Sequence, residues 1–92
     1  MIISFACRDT EKLFHNKHVN RFSSFLRQAQ VKLKLLNAVA NLNDLRSPPG
    51  NRLETLVGDR KDQYSIRINN QWRLCFSWKD GNAHNVQIVD YH

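Results

Sequence analysis

The sequence predicts an α+β fold, with two helices from its first half laid on one face of a sheet built mainly from its second half. Trp72, Leu74, Phe76 and Trp78 alternate with Arg73, Cys75, Ser77 and Lys79, the period of two that a strand shows when one of its faces is buried. Phe22, Phe25, Leu26, Ala29, Leu33, Leu36 and Ala40 recur at spacings of three and four, the period of a helix with one apolar stripe. Between strand-like runs stand Asn69-Asn70 and Asp80-Gly81, residue pairs suited to the positive φ angles of tight hairpin turns.

Taken in order, Ile2, Ile3, Phe5 and Ala6 form a short β-prone run that predicts a first strand, ended by Arg8 and Asp9. Asp9 or Thr10 is placed to cap a short helix carrying Glu11, Lys12, Leu13 and Phe14. The long helix is expected from Arg21 to Val39, its apolar stripe on the sheet. Val31, Leu35 and Val39 follow a second line at i, i+4 and i+8, which reads either as a wider core contact or as an edge for a partner. Pro48 and Pro49 forbid continued helix, so the stretch 41–51 is a loop that carries Arg46 into the next strand. That strand spans Arg52 to Val57, with Leu53, Thr55 and Val57 facing one way and Arg52, Glu54 and Leu56 the other. A polar loop with Arg60 and Lys61 follows, and then Tyr64, Ile66 and Ile68 alternate with Ser65, Arg67 and Asn69. Val86, Ile88 and Val89 make the last strand, which is expected to finish near Val89.

Composition narrows the function classes. The 92 residues, 41% of them hydrophobic, suit one domain spanning 1–92. Fourteen Lys and Arg against eight Asp and Glu leave a net charge of +6, which favours an anionic partner. Cys7 and Cys75 are too few for a disulfide framework or a zinc finger and are expected reduced, as in the cytoplasm. No signal peptide and no apolar run near the ~20 residues of a membrane span is present, so a cytoplasmic protein is expected. The sequence has no GxxxxGK[ST], GxGxxG or GxSxG pattern, which argues against nucleotide-dependent and hydrolase-elbow enzymes. His15 and His18 lack a further ligand at metal spacing and, like His84, are expected to serve no site; no metal and no cofactor is expected.

Alternation places Arg52, Glu54, Arg67 and Arg73 together on the face away from the helices, with Arg46, Arg60 and Lys61 as further cations for RNA or ribosome binding. Beside them the sequence closes on Asp90, Tyr91 and His92, three residues able to move protons. RNA cleavage without a metal needs a base for the 2'-hydroxyl, an acid for the leaving 5'-oxygen and fixed cations for the phosphate. Arg73 offers a planar fork of donors for the phosphate. The α-carboxylate of His92 favours its imidazolium and hence an acid role, while Glu54 is a candidate base.

The segment LRSPPGNRLETLVGDRKDQYSIRINNQWRLCF, with VQIVDYH at the end, resembles the HigB toxins, a branch of the RelE superfamily of ribosome-dependent mRNA interferases. The resemblance covers residues 45–92 closely and the earlier elements more loosely. It implies a curved, mostly antiparallel sheet with two N-terminal helices on one face. It also implies metal-independent cleavage of mRNA in the ribosomal A site, against 16S rRNA, and neutralisation by a HigA-like helix-turn-helix antitoxin. Arg73, Asp90, Tyr91 and His92 match positions tied to activity in the family. The chain departs from the family pattern at Glu54, where some members have a histidine, and at the nearby Val57, a position that is basic in them. From charge alone, the alternative is a basic RNA- or ribosome-binding module without a catalytic step.

Overall fold

The computed structural model describes residues 1–56 and 62–90. Helix α1 (Arg8–Phe14) is followed by a 3-10 helix (Asn20–Phe25) that runs into α2 (Leu26–Ala38). Two short 3-10 turns, Leu42–Arg46 and Pro49–Asn51, lead to β1 (Glu54–Thr55), β2 (Gln63–Arg67), β3 (Trp72–Lys79) and β4 (Asn82–Asp90). The strands form one antiparallel sheet in the order β1-β2-β3-β4.

The helices cover the sheet face carrying Ile66, Leu74, Phe76, Val86 and Ile88, and the core closes between that face and Leu13, Ala29, Leu33 and Leu36. The expected helix from Arg21 to Val39 is divided: its first turns are 3-10, the backbone breaks at Phe25 (φ −133°), and the α-helix stops at Ala38. The aromatic spacing accounts for the division. A 3-10 helix has three residues per turn, so Phe22 and Phe25 eclipse one another and both reach Trp72, with ring centroids 5.7 and 4.9 Å away. Thr10 does not cap α1. Its side chain is fully buried and its Oγ1 accepts from the Ile88 amide at 3.0 Å, tying the helix to β4; the cap position is Cys7.

The N-terminal run does not become a strand. It touches β4 through two parallel bridges, Ile2 to Ala83 and Phe5 to Val86. The cause lies in β4, where Ser77 pairs with His84 and Cys75 with Gln87, so Asn85 and Val86 together face Phe76. Asn85 takes a left-handed conformation (φ 53°) in this bulge and its amide donates to Ser4 Oγ at 2.9 Å, which interrupts the ladder on the outer edge. The bulge also resets the alternation, so that Ala83, Val86 and Ile88 all face the core.

Three further differences from expectation bear on the site. Residues 52–57 were expected as a strand, but Arg52 is left-handed (φ 46°, ψ 59°) and pairing is confined to Glu54–Thr55. A non-glycine residue held there costs about 1–3 kcal/mol, which the surrounding bonds must offset. The second sheet face is not open: Ser65 is fully buried, Cys75 is 1% exposed, Arg73 7% and Leu56 8%. Last, β4 continues through Asp90, which pairs with Trp72, rather than finishing near Val89. The Asp80-Gly81 turn forms as expected, both residues having positive φ, as a two-residue hairpin with right-handed strand twist demands. The Asn69-Asn70 connection is wider: Ile68 bonds Trp72 across residues 69–71, and neither asparagine has positive φ.

Candidate functional site

Antiparallel register sets the site. Residues directly opposite on neighbouring strands point to the same face, so Glu54, Ser65 and Cys75 form one row and Arg67, Arg73 and Val89 the next. At the β1 side these rows border a cleft of ≈ 220 Å³ lined by Arg52, Glu54, Arg67, Asn69, Asn70 and Arg73. Three guanidinium groups against one carboxylate make it an anion site.

Arg73 is the floor of the cleft. Its Nε donates to Ser65 Oγ at 2.8 Å, and Nη2 donates to the carbonyls of Arg52 at 2.6 Å and Ser65 at 3.3 Å. The Glu54 carboxylate lies 3.8 Å from Nη2, with its side chain 54% exposed against 8% for Arg73. Arg67 sits opposite Arg73 in the register, and two like charges so placed repel. They lean apart along the strands: Arg67 donates to the Asn69 carbonyl at 3.2 Å and to Asn70 Oδ1 at the turn, while Arg73 is held toward Ser65. The turn is itself built by Asn69, whose Oδ1 accepts from the amides of Gln71 (2.9 Å) and Trp72 (2.8 Å). Fixed cations at a half-enclosed surface, with an exposed carboxylate beside them, can bind a phosphodiester and accept a proton from a neighbouring hydroxyl.

Of the residues singled out from sequence, Glu54, Arg73, Arg52 and Arg67 come together here. Asp90 does not join them: as the partner of Trp72 it belongs to the helix-side face, and its Oδ2 accepts from Gln71 Nε2 at 3.1 Å. Arg46 is not carried into a strand; it ends a 3-10 helix, where its Nε bonds Asn43 Oδ1 at 3.4 Å, and it does not line the cleft. Tyr91, His92, Arg60, Lys61 and Val57 lie outside the described residues. On α2, Val31 is 54% exposed, whereas Leu35, and Val39 just past the helix end, pack against the core. Sequence reasoning passed over Ser65, Asn69 and Asn70; for Ser65 the signal was present, since a hairpin closing near Asn69-Asn70 sets it diagonal to Arg73.

A second, shallower cleft of ≈ 300 Å³ lies among Asp9, Lys12, His18, Val19, Asn20 and Arg21. Arg21 bonds Asp9 at 3.1 Å and stands 4.6 Å over the Phe22 ring. Among the described residues no group of three or more His, Cys, Asp or Glu is placed to hold a metal ion, and no helix is long and apolar enough to cross a membrane.

The fold is thus a small antiparallel sheet with helices on one face and an arginine-lined cleft on the other. The chain belongs to the family described as the RelE-like toxin of type II toxin-antitoxin system HigB, whose model matches residues 4–92. It is 51% identical over 57 residues to Toxin HigB-1 of Vibrio cholerae, a match covering 62% of this chain and 60% of that protein. It is 37% identical over 41 residues to Endoribonuclease HigB of Proteus vulgaris, covering 45% of each. Less than two thirds of either relative's length is therefore matched. Among solved structures, a mutant of YafQ from E. coli superposes with a TM-score of 0.62 over 98% of this chain and 93% of that one at 15% identity, a likeness of fold.

Proposed function

We propose that the protein is a ribosome-dependent endoribonuclease toxin that cleaves mRNA in the ribosomal A site. The observation that carries this reading is the cleft that sets Arg52, Arg67 and Arg73 around the exposed Glu54, in a chain of the HigB-like toxin family. Glu54 takes the proton of a 2'-hydroxyl, whose oxygen then forms a bond to the adjacent phosphorus. The arginines hold the phosphate oxygens as negative charge builds, with the buried Arg73 pre-oriented by Ser65 and the Arg52 carbonyl. The bond from phosphorus to the 5'-oxygen breaks, and His92, assisted by Tyr91, gives that oxygen a proton. A 2',3'-cyclic phosphate and a 5'-hydroxyl result. No metal and no cofactor enters this scheme.

Arg46, Arg60 and Lys61 add contacts to ribosomal RNA, including 16S rRNA. The toxin acts in the cytoplasm, where its substrate is, and a HigA-like antitoxin restrains it, docking along α2 through Val31 with Leu35 and Val39 at its margin. Primer extension on mRNA after induction tests the reading. New 5' ends that vanish in Glu54→Gln and Arg73→Ala are the expected result; stalled ribosomes without new ends would identify a non-catalytic RNA-binding module instead.

A further inference from the structure

Asn51 is a fully buried polar side chain that the cleft chemistry leaves unused. Its Nδ2 donates to the carbonyls of Leu45 at 3.1 Å and Ser47 at 3.3 Å, and its Oδ1 accepts from Lys32 Nζ on α2. Its own amide donates to the Pro48 carbonyl at 2.9 Å. Residue 51 is thus fixed by backbone and side chain together, and the adjoining residue is Arg52. Arg52 holds the left-handed conformation, its side chain lines the cleft, and its carbonyl takes the 2.6 Å bond from Arg73. A left-handed arginine persists only where its neighbours over-determine the backbone. Here the Arg52 amide donates to the Pro49 carbonyl at 3.1 Å and its carbonyl accepts from Arg73, while further bonds hold the preceding residue, Asn51, one of them from a helix that packs on the core rather than on the cleft.

We infer that Lys32 and Asn51 are positioning residues for RNA cleavage: the Lys32 ammonium fixes the Asn51 amide, which sets the Arg52 backbone and, through its carbonyl, the place of the Arg73 guanidinium. Lys32 touches no cleft residue other than through Asn51 among the contacts described. The Asn51 amide must be oriented one way to give both hydrogens to carbonyls, so its oxygen requires a donor, and a cation is the stronger one. This inference rests on reading the arginine cleft as the cleavage site.

The test is single-turnover and steady-state cleavage of mRNA on programmed ribosomes by the full chain and by Lys32→Met, Lys32→Arg and Arg73→Ala, with the folded fraction of each measured by circular dichroism. Per folded molecule, Lys32→Met is expected to lower kcat on the order of 10- to 100-fold, as small displacements of catalytic groups do, with KM unchanged. Lys32→Arg, whose guanidinium can donate to the same oxygen, is expected to restore most of that loss. Should Lys32→Met fail to fold, Lys32→Ala against Lys32→Arg makes the same comparison. An inactive Arg73→Ala beside a Lys32→Met of full kcat would overturn the positioning role and leave the cleft standing. A change confined to KM would overturn it too, since it would make Lys32 an RNA contact. An active Arg73→Ala would instead overturn the cleft assignment on which the inference rests.

Discussion

Glu54 and Arg73 face each other across 3.8 Å, yet they live in different media: the carboxylate is half in water and the guanidinium almost fully enclosed. The enclosed cation has its donors aimed by Ser65 and by the Arg52 carbonyl, whereas the acid's side chain is 54% exposed. Glu54→Gln is expected to slow cleavage by about 10²–10⁴-fold with ribosome binding intact, measured as cleavage rate against co-sedimentation. Arg73→Lys keeps the charge but loses the planar fork, and a loss of about 10²–10³-fold is expected; wild-type rates would mean that charge alone suffices. A separate expectation concerns Cys7. Burial raises its pKa, but hydrogen bonds from Thr10 and Asp9 together with the Arg21 charge outweigh that, and the net shift is downward. Its thiolate therefore forms at lower pH than an ordinary thiol, while Cys75 is enclosed in the sheet. Iodoacetamide followed by mass spectrometry should label Cys7 first, with a pH inflection that moves up in Arg21→Gln.

At the scale of elements, what the sequence disclosed was periodicity, and what it concealed was where periodicity breaks. The alternation of Trp72 to Trp78 and the Asp80-Gly81 turn were readable because each depends on neighbours along the chain. The cleft residues Arg52, Glu54, Arg67 and Arg73 followed from the same alternation. The burial of Arg73 did not, because it depends on the second sheet face being enclosed. Nor did the fate of Asp90, which turns on a register fixed by the β4 bulge. That bulge is testable through Asn85, since asparagine tolerates φ 53° and a β-branched residue does not. Asn85→Val is expected to cost about 1–3 kcal/mol in urea denaturation and Asn85→Gly far less. If both cost the same, the left-handed angle is not what constrains the site. Leu35 on α2 and Val39 just past its end pack against the core, so only Val31→Lys tests the antitoxin surface without disturbing packing; loss of binding with retained toxicity is expected in a co-purification assay.

For the whole molecule, the excess of cations has a consequence that single substitutions cannot report. A net charge of +6 attracts RNA from any direction, but only charges that meet phosphates release counterions, and the salt dependence of binding counts those contacts. Single-stranded RNA gives a slope of log K against log salt of about −0.7 per phosphate neutralised. If the cleft alone holds the strand through Arg52, Arg67 and Arg73, the slope should be about −2, and contacts by other basic residues steepen it. Arg52 is the informative residue to remove: its side chain is exposed at the cleft, while its structural task is performed by its backbone carbonyl. Arg52→Gln keeps that carbonyl and is expected to reduce the slope by about 0.7 while shifting thermal stability little. Fluorescence anisotropy titrations of a short RNA over a range of salt concentrations measure this directly. An unchanged slope would place the strand outside the cleft and make the arginines an internal brace for the sheet.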